Sequence, residues 1–410
     1  MDSSSFVSRW KSILVFLYVL FQLIFFYPYE IMPVFFPFWN ISGVGFMLVF
    51  TSLNFIISST ATSKSKESLK QVFLLSFVQL IGFTLCFINS GQISAIGGKV
   101  ILILYYCSLL YVLVSTTGLV YFFKLYNRWI LLMAILGTIT WVLCEFRGLS
   151  PLYFVPDPQE EDRFIYNYLL TFSVHDSDTF NMRYSGYFDE PGAMAQWGLF
   201  ALLINKLTVK EKWIELPLIL CLVFTFSMGF YIQLFAYYLL FYANRKNFVY
   251  GLFFLLLSLF LLYGLSLTEG GDFDFIYQRT FGRFSSMVEQ GQQSGSYFAV
   301  DDRTDLAKLA YNEFLQNPIF GTTKTDLYVG DNIYEPLAMY GIVGTIFIYF
   351  PFLWLLRKSI KNRNVILRNV SIIILVGVLH RPFHTNVLWS FILYSIVLMS
   401  YYDTANKQIK

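Results

Sequence analysis

VILILYYCSLLYVLVSTTGLVYF, from Val100 to Phe122, runs without a single charged side chain. At 1.5 Å per residue a helix of this length reaches about 34 Å, enough for the roughly 30 Å apolar core of a bilayer. In lipid the backbone must satisfy its own N–H and C=O groups, so the run is read as a transmembrane helix. Comparable runs lie near residues 12–30, 38–58, 71–90, 129–146, 190–205, 213–227, 229–243, 248–267, 333–356, 369–380 and 386–402, making twelve expected spans. The whole chain of 410 residues agrees: 56% is hydrophobic, 20% aromatic and 13% charged, against a charged share of about 25% in soluble domains. A mean hydropathy of +0.57 excludes a cytosolic enzyme, a secreted disulfide scaffold and a disordered tail protein. A net charge of +3, evenly spread, gives no footprint for nucleic acid. The expected fold class is an all-α integral membrane protein.

Several boundaries follow from local chemistry. Ser227, Met228 and Gly229 interrupt Trp213–Ala243, which is therefore read as two short spans, and the pair of runs around His380 reads as a broken or re-entrant helix. The first run follows Arg9 and Lys11, but Tyr27-Pro28-Tyr29-Glu30 follows it where a small-residue cleavage site would stand, so it is read as an uncleaved first span. With both termini in the cytoplasm, 19 of the 29 basic residues fall inside and 10 outside, as the positive-inside rule favours. The chain then divides into five N-terminal spans (1–146), a first large external loop (147–189), central spans (190–267), a second large loop (268–332) and C-terminal spans (333–410).

The two faces differ in kind. Lys outnumbers Arg 13 to 6 inside, and Arg outnumbers Lys 7 to 3 outside. Lysine is a hydrated point charge suited to lipid headgroups, whereas the planar guanidinium binds carboxylates and phosphates at two points, so the external face reads as one for anions. The competing reading pairs these arginines with acids of the same loops. Spans without mid-membrane charges argue against an ion-coupled pump. All four cysteines lie within spans, which implies neither a disulfide framework nor a cysteine metal site.

The loops carry the chemistry. The first holds an acidic cluster, Glu160-Glu161-Asp162, read as a solvated face, and closes with Arg183-Tyr184-Ser185-Gly186-Tyr187-Phe188-Asp189-Glu190-Pro191-Gly192 against a span. The second contains one clear helix, with Asp302 or Thr304 as cap, Leu306, Leu309, Ala310 and Phe314 at helical spacing, and Asn317-Pro318 with Gly321 as the stop. Arg303 in its first turn opposes the helix dipole, which points to another partner. Between the last two spans His380-Arg381-Pro382-Phe383-His384 places two of the three histidines around an arginine; Pro382 spoils helical presentation and no third ligand is near, so metal is rejected.

Arg183–Gly192 leading into a span, the Thr225-Phe226-Ser227-x-Gly229 break, Arg303 through Asn317-Pro318-Ile319-Phe320-Gly321, and Asp331-Asn332-x-Tyr334 followed by Met339-Tyr340-Gly341-Ile342-Val343-Gly344 together resemble the Wzy-type polysaccharide polymerases and the related O-antigen ligases. The resemblance covers most of the chain by topology and about 60 residues by motif. It departs at Asp331, where ligases of this group have histidine, which favours polymerase over ligase. It implies a bacterial inner-membrane enzyme that joins undecaprenyl-pyrophosphate-linked repeat units at the external face, in O-antigen, capsule or exopolysaccharide synthesis, without cofactor or metal, alongside a chain-length regulator and a flippase. Implied anion-binding residues are Arg183, Arg303, Arg381 and Arg279; candidate bases are Asp331, Glu190, His380 and His384; sugar contacts are Tyr184, Tyr187, Phe188, Tyr334 and Asn332. The alternatives are an O-antigen ligase acting on lipid A core and, from another class, a flippase, which would be expected to line an internal cavity with cations.

Overall fold

The computed structural model describes residues 13–23, 43–59, 66–89, 91, 93–116, 119–156, 163–176, 183–188, 191–243, 302–322, 332–380 and 387–408, and that part is 81% helical. The N-terminal helices are α1 (Ile13–Leu23), α2 (Gly43–Ser59), α3 (Lys66–Asn89), α4 (Ile93–Thr116) and α5 (Leu119–Arg147). They are followed by α6 (Pro191–Ile204, prolonged by a π turn Asn205–Val209), α7 (Lys212–Val223) and α8 (Met228–Tyr242). Beyond these lie α9 (Asp302–Gln316), α10 (Glu335–Ile348), α11 (Phe350–Lys361), α12 (Val365–His380) and α13 (Val387–Gln408). Leu69–Asn89, Ile96–Val114, Leu119–Cys144 and Glu335–Lys361 are long and apolar enough to cross a membrane, and shorter apolar helices accompany them. This is the build of a helical membrane protein. The expected span 248–267 lies outside the described residues.

The opening stretch is divided differently from its hydropathy. α4 ends at Thr116 and α5 begins at Leu119, so residues 119–122 belong to the next helix, which continues through Lys124 and Arg128 and absorbs the expected span 129–146. The β-branched Thr116-Thr117 and then Gly118 are weak helix formers. Lys124 and Arg128 sit on this helix and both reach the Glu211 carboxylate, at 3.2 and 2.6 Å. The expected span 333–356 is also divided, into α10 and α11 around Tyr349 with Pro351 in the first turn of α11. The two short helices expected from the Ser227 break are present as α7 and α8, and the expected helix after residue 302 is α9.

A second correction concerns the all-α class. The segment between α5 and α6 folds into an antiparallel sheet in sequence order, β1 (Tyr153–Pro156), β2 (Arg163–Asn167), β3 (Phe172–Asp176) and β4 (Tyr184–Gly186). Period-two alternation drives it. Phe154 meets Phe164 edge-on at 5.6 Å and Tyr166 at a tilt at 5.7 Å, whereas Ile165 and Phe172 bury themselves with Val155 and Tyr187. Leu169 takes a left-handed φ of 69° in the β2–β3 turn, where its N–H donates to Asn167 Oδ1 at 2.7 Å.

Buried polar side chains tie the helices together, since lipid offers no partner for them. Gln79 of α3 accepts the hydroxyls of Tyr106 (α4) and Tyr394 (α13) at 3.2 and 2.7 Å and donates to the Ile348 carbonyl of α10 at 2.6 Å. Asn54 of α2 exchanges two bonds with Gln22 of α1 and donates to Ser108 of α4 at 2.9 Å. Four elements meet at one carboxamide and three at the other.

Candidate functional site

Arg183 enters β4 with its backbone pinned: its N–H donates to Ser173 Oγ at 3.3 Å and its carbonyl accepts from the same hydroxyl at 3.0 Å. Its side chain crosses to the break between α7 and α8, where Nε donates to the Thr225 carbonyl and Nη2 to the Phe226 carbonyl, both at 3.2 Å. Phe226 has φ of +51°, so the chain reverses there and leaves α7 with carbonyls that have no helical partner. Other donors complete the set: the Tyr184 hydroxyl to the Cys221 carbonyl and the Tyr231 hydroxyl to the Val223 carbonyl at 2.7 Å. The negative end of a helix dipole favours a cation in this place. Ser227 then caps α8, its Oγ accepting from Phe230 N at 3.4 Å. Arg183 was expected as an anion ligand; two of its five N–H donors are committed to the backbone, so it builds the site as well as charging it.

Tyr184 and Tyr187, neighbours in sequence, part company. Tyr184 is fully buried, and its ring lies so close to Gly137 of α5 that a Cβ there would come within 2.3 Å. A ring with no exposed face cannot stack on a sugar, which corrects that expectation; Phe188, at 4% exposure, is in the same position. Tyr187 is half-buried, edge-on to Phe172 at 5.4 Å, with its hydroxyl on the Leu169 carbonyl at 3.3 Å.

The two remaining motif stretches interlock through their backbones. After α9 the chain turns over Asn317–Gly321, and Gly321 N donates to Asn317 O at 2.9 Å. Opposite it α10 is broken at Gly341, with φ 60° and ψ −171°. A Cβ at Gly321 would lie 2.4 Å from the Met339 carbonyl, and one at Gly341 would lie 2.4 Å from that of Ile319. Only glycine permits both the φ values and this approach. The groups freed by the break pair across it: Thr322 N to Ala338 O at 2.8 Å, Ile342 N to Pro318 O at 2.9 Å and Val343 N to Ile319 O at 3.1 Å. Non-helical backbone within an apolar bundle is tolerated where protein covers it or where it lines a site. Just before α10, Asn332 Oδ1 accepts from Tyr334 N at 2.9 Å, and the exposed Tyr334 ring meets Tyr311 of α9 at 5.3 Å.

A third junction was missed by the sequence reading. Gln233 of α8 donates to Gln196 of α6 at 2.7 Å, and Gly377 of α12 abuts both side chains. Both glutamines are buried, and Gln233 Oε1 has no hydrogen-bond partner among the described residues. Two glutamines in otherwise apolar runs were the available signal. α12 runs antiparallel to α8, since Asn369 bonds to the Leu240 carbonyl while Gly377 lies at Gln233. At equal rise, His380, three residues beyond Gly377, falls level with the first turn of α8, the end that Arg183 clamps.

The described residues thus place Arg183 and the backbone of His380 at that end of α8, Tyr187 against the sheet beside Phe172, and Asn332 and Tyr334 at the α9–α10 interlock. Arg303 lies in the first turn of α9, as expected. Asp331, Glu190, His384, Arg381 and Arg279 lie outside the described residues. Among the described residues no three His, Cys, Asp or Glu gather closely enough to hold a metal. The fold and these junctions define a class, a predominantly helical membrane protein with a small sheet beside its broken helices. No protein-family model and no curated protein matches the chain.

Proposed function

We propose that the chain is a polysaccharide polymerase, a glycosyltransferase joining undecaprenyl-pyrophosphate-linked oligosaccharide units at the external face of a bacterial inner membrane. The observation that supports it most is the pairing of the motifs: Arg183 with Thr225–Phe226, and Asn317–Gly321 with Met339–Gly344. In the proposed reaction an acceptor hydroxyl oxygen attacks the anomeric carbon of the donor sugar. The bond from that carbon to the pyrophosphate oxygen breaks, the lipid pyrophosphate leaves with the electron pair, and the hydroxyl proton passes to a base. Fixed cations lower the barrier where charge develops on the leaving group, the part assigned to Arg303, Arg381 and Arg279 together with Arg183. The base belongs to the set Asp331, Glu190, His380 and His384, and general-base help is worth about 10²–10⁴-fold. The half-buried Tyr187 and the exposed Tyr334 supply the rings for sugar. Pyrophosphate leaves readily, so this chemistry calls for no covalent nucleophile.

The test is the length ladder of surface polysaccharide in a strain that carries only variant chain. Arg303→Ala and Arg303→Lys, at normal membrane levels, are expected to leave single repeat units, because a two-point clamp does not survive lysine. A normal ladder in both sinks the proposal. Polymer stranded on the lipid carrier would instead mark a ligase.

A further inference from the structure

At the far end of α6 from Arg183, the chain passes through the π turn and returns as α7, and α5 brings Lys124 and Arg128 to the same place. Among the described residues five cations gather there, Lys124, Arg128, Lys206, Lys210 and Lys212, against two carboxylates, Glu211 and Glu215. Both acids are engaged. Glu211 takes Lys124 and Arg128, and Glu215 takes Lys206 at 2.8 Å together with the hydroxyls of Tyr237 and Tyr242. Lys210 and Lys212 are exposed, and among the described residues neither forms an ion pair. Among these seven residues the balance is a net surplus of three positive charges on a solvent-facing rim.

An apolar stripe starts directly beneath that rim. Trp213, Leu216 and Leu220 of α7 are 56, 64 and 56% exposed and recur at helical spacing on one side. Arg128 lies 5.8 Å from the Trp213 ring, which holds the indole at the junction of charge and stripe, the level aromatic residues occupy at a membrane interface. A soluble anion or an acidic peptide would use the lysines and leave the stripe bare. A molecule with an anionic head and a hydrocarbon tail uses both.

We propose that this end binds an anionic phospholipid, with its phosphodiester head at Lys210 and Lys212, flanked by Lys124 and Arg128, and an acyl chain along Trp213, Leu216 and Leu220. The site rests on the helical-membrane reading alone and stands or falls separately from the polymerase proposal. Basic residues next to an anionic leaflet gain about 1 kcal/mol each, so removing both lysines should weaken the preference about 10- to 30-fold, and salt should weaken it too.

The full chain is reconstituted in phosphatidylcholine vesicles containing a minority of either brominated phosphatidylglycerol or brominated phosphatidylcholine. The signal is the Trp213-specific quenching, taken as the difference between the native chain and Trp213→Phe. Stronger quenching by the brominated phosphatidylglycerol is expected, lost in Lys210→Asn/Lys212→Ala; asparagine suits residue 210, whose φ is 57°. Lys212→Gln alone, which leaves that left-handed residue untouched, should weaken the preference about fivefold and guards against a misfolded double variant. Equal quenching by the two lipids, or a preference that both variants retain, overturns the proposal.

Discussion

Glu211 shows how a single side chain sets the balance at one end of the bundle. Partial burial alone would raise its pKa, but the bonds from Arg128 and Lys124 outweigh that and hold it below the usual carboxylate range. A group depressed in the folded state stabilises above its unfolded pKa, about 4.3 for glutamate, and loses that contribution as pH falls through the folded value. Glu211→Gln should therefore cost roughly 0.5–1 kcal/mol at pH 7, a modest sum because both cations are partly exposed. The gap from the native chain should close as the pH drops below the carboxylate range, as thermal melts of the detergent-solubilised chain will show. Tyr184 makes the opposite kind of contribution. Tyr184→Phe keeps the ring against Gly137 and removes the hydroxyl that donates to the Cys221 carbonyl and accepts from Thr138 Oγ1 at 3.4 Å, for about 1 kcal/mol. Gly137→Ala drives a methyl into the ring and should cost about 1–3 kcal/mol by overpacking.

At the scale of elements, the junctions differ in how much they can yield. The Gly321–Gly341 contact is backbone against backbone, so an added Cβ has nothing flexible to push aside, and each glycine also holds a left-handed φ. Gly341→Ala is expected to cost at least about 2 kcal/mol and to loosen α9 from α10, visible as faster amide exchange at Thr322, Ile342 and Val343. Gly377 meets only the tips of Gln233 and Gln196, so Gly377→Ala should cost less than Gly341→Ala in the same melt. A larger loss at Gly377 would show that the glutamine pair is rigid. The sheet was not legible because its strands are three to five residues long and sit among turn residues. Their period-two pattern acquires meaning only when Phe154 meets Phe164 and Tyr166 across strands. α9, by contrast, was legible from its spacing and its Asn317-Pro318 stop.

For the molecule as a whole, the expected orientation puts the Lys124–Lys212 end in the cytoplasm and the sheet outside. With the native cysteines buried or half-buried, a Lys210→Cys variant should resist an impermeant thiol reagent in intact cells and react in inside-out vesicles. Leu152→Cys, beside the exposed start of β1, should do the reverse. The same pattern from both positions would refute the topology.

The sequence by itself determined what depends on neighbours along the chain: a lipid-solvated helical protein, the split at Ser227, the helix from Asp302 to Gln316 and the glycines that permit breaks. Hydropathy, turn chemistry and φ preference are local quantities and can be read locally. Only the tertiary structure decided where Arg183 spends its donors, that Gly321 and Gly341 face each other, that Tyr184 is core while Tyr187 is only half-buried, and that α6, α8 and α12 cross at two glutamines. Each of these turns on which carbonyls a break leaves unpaired and which distant segment arrives to cover them, and that is settled by packing across tens of residues.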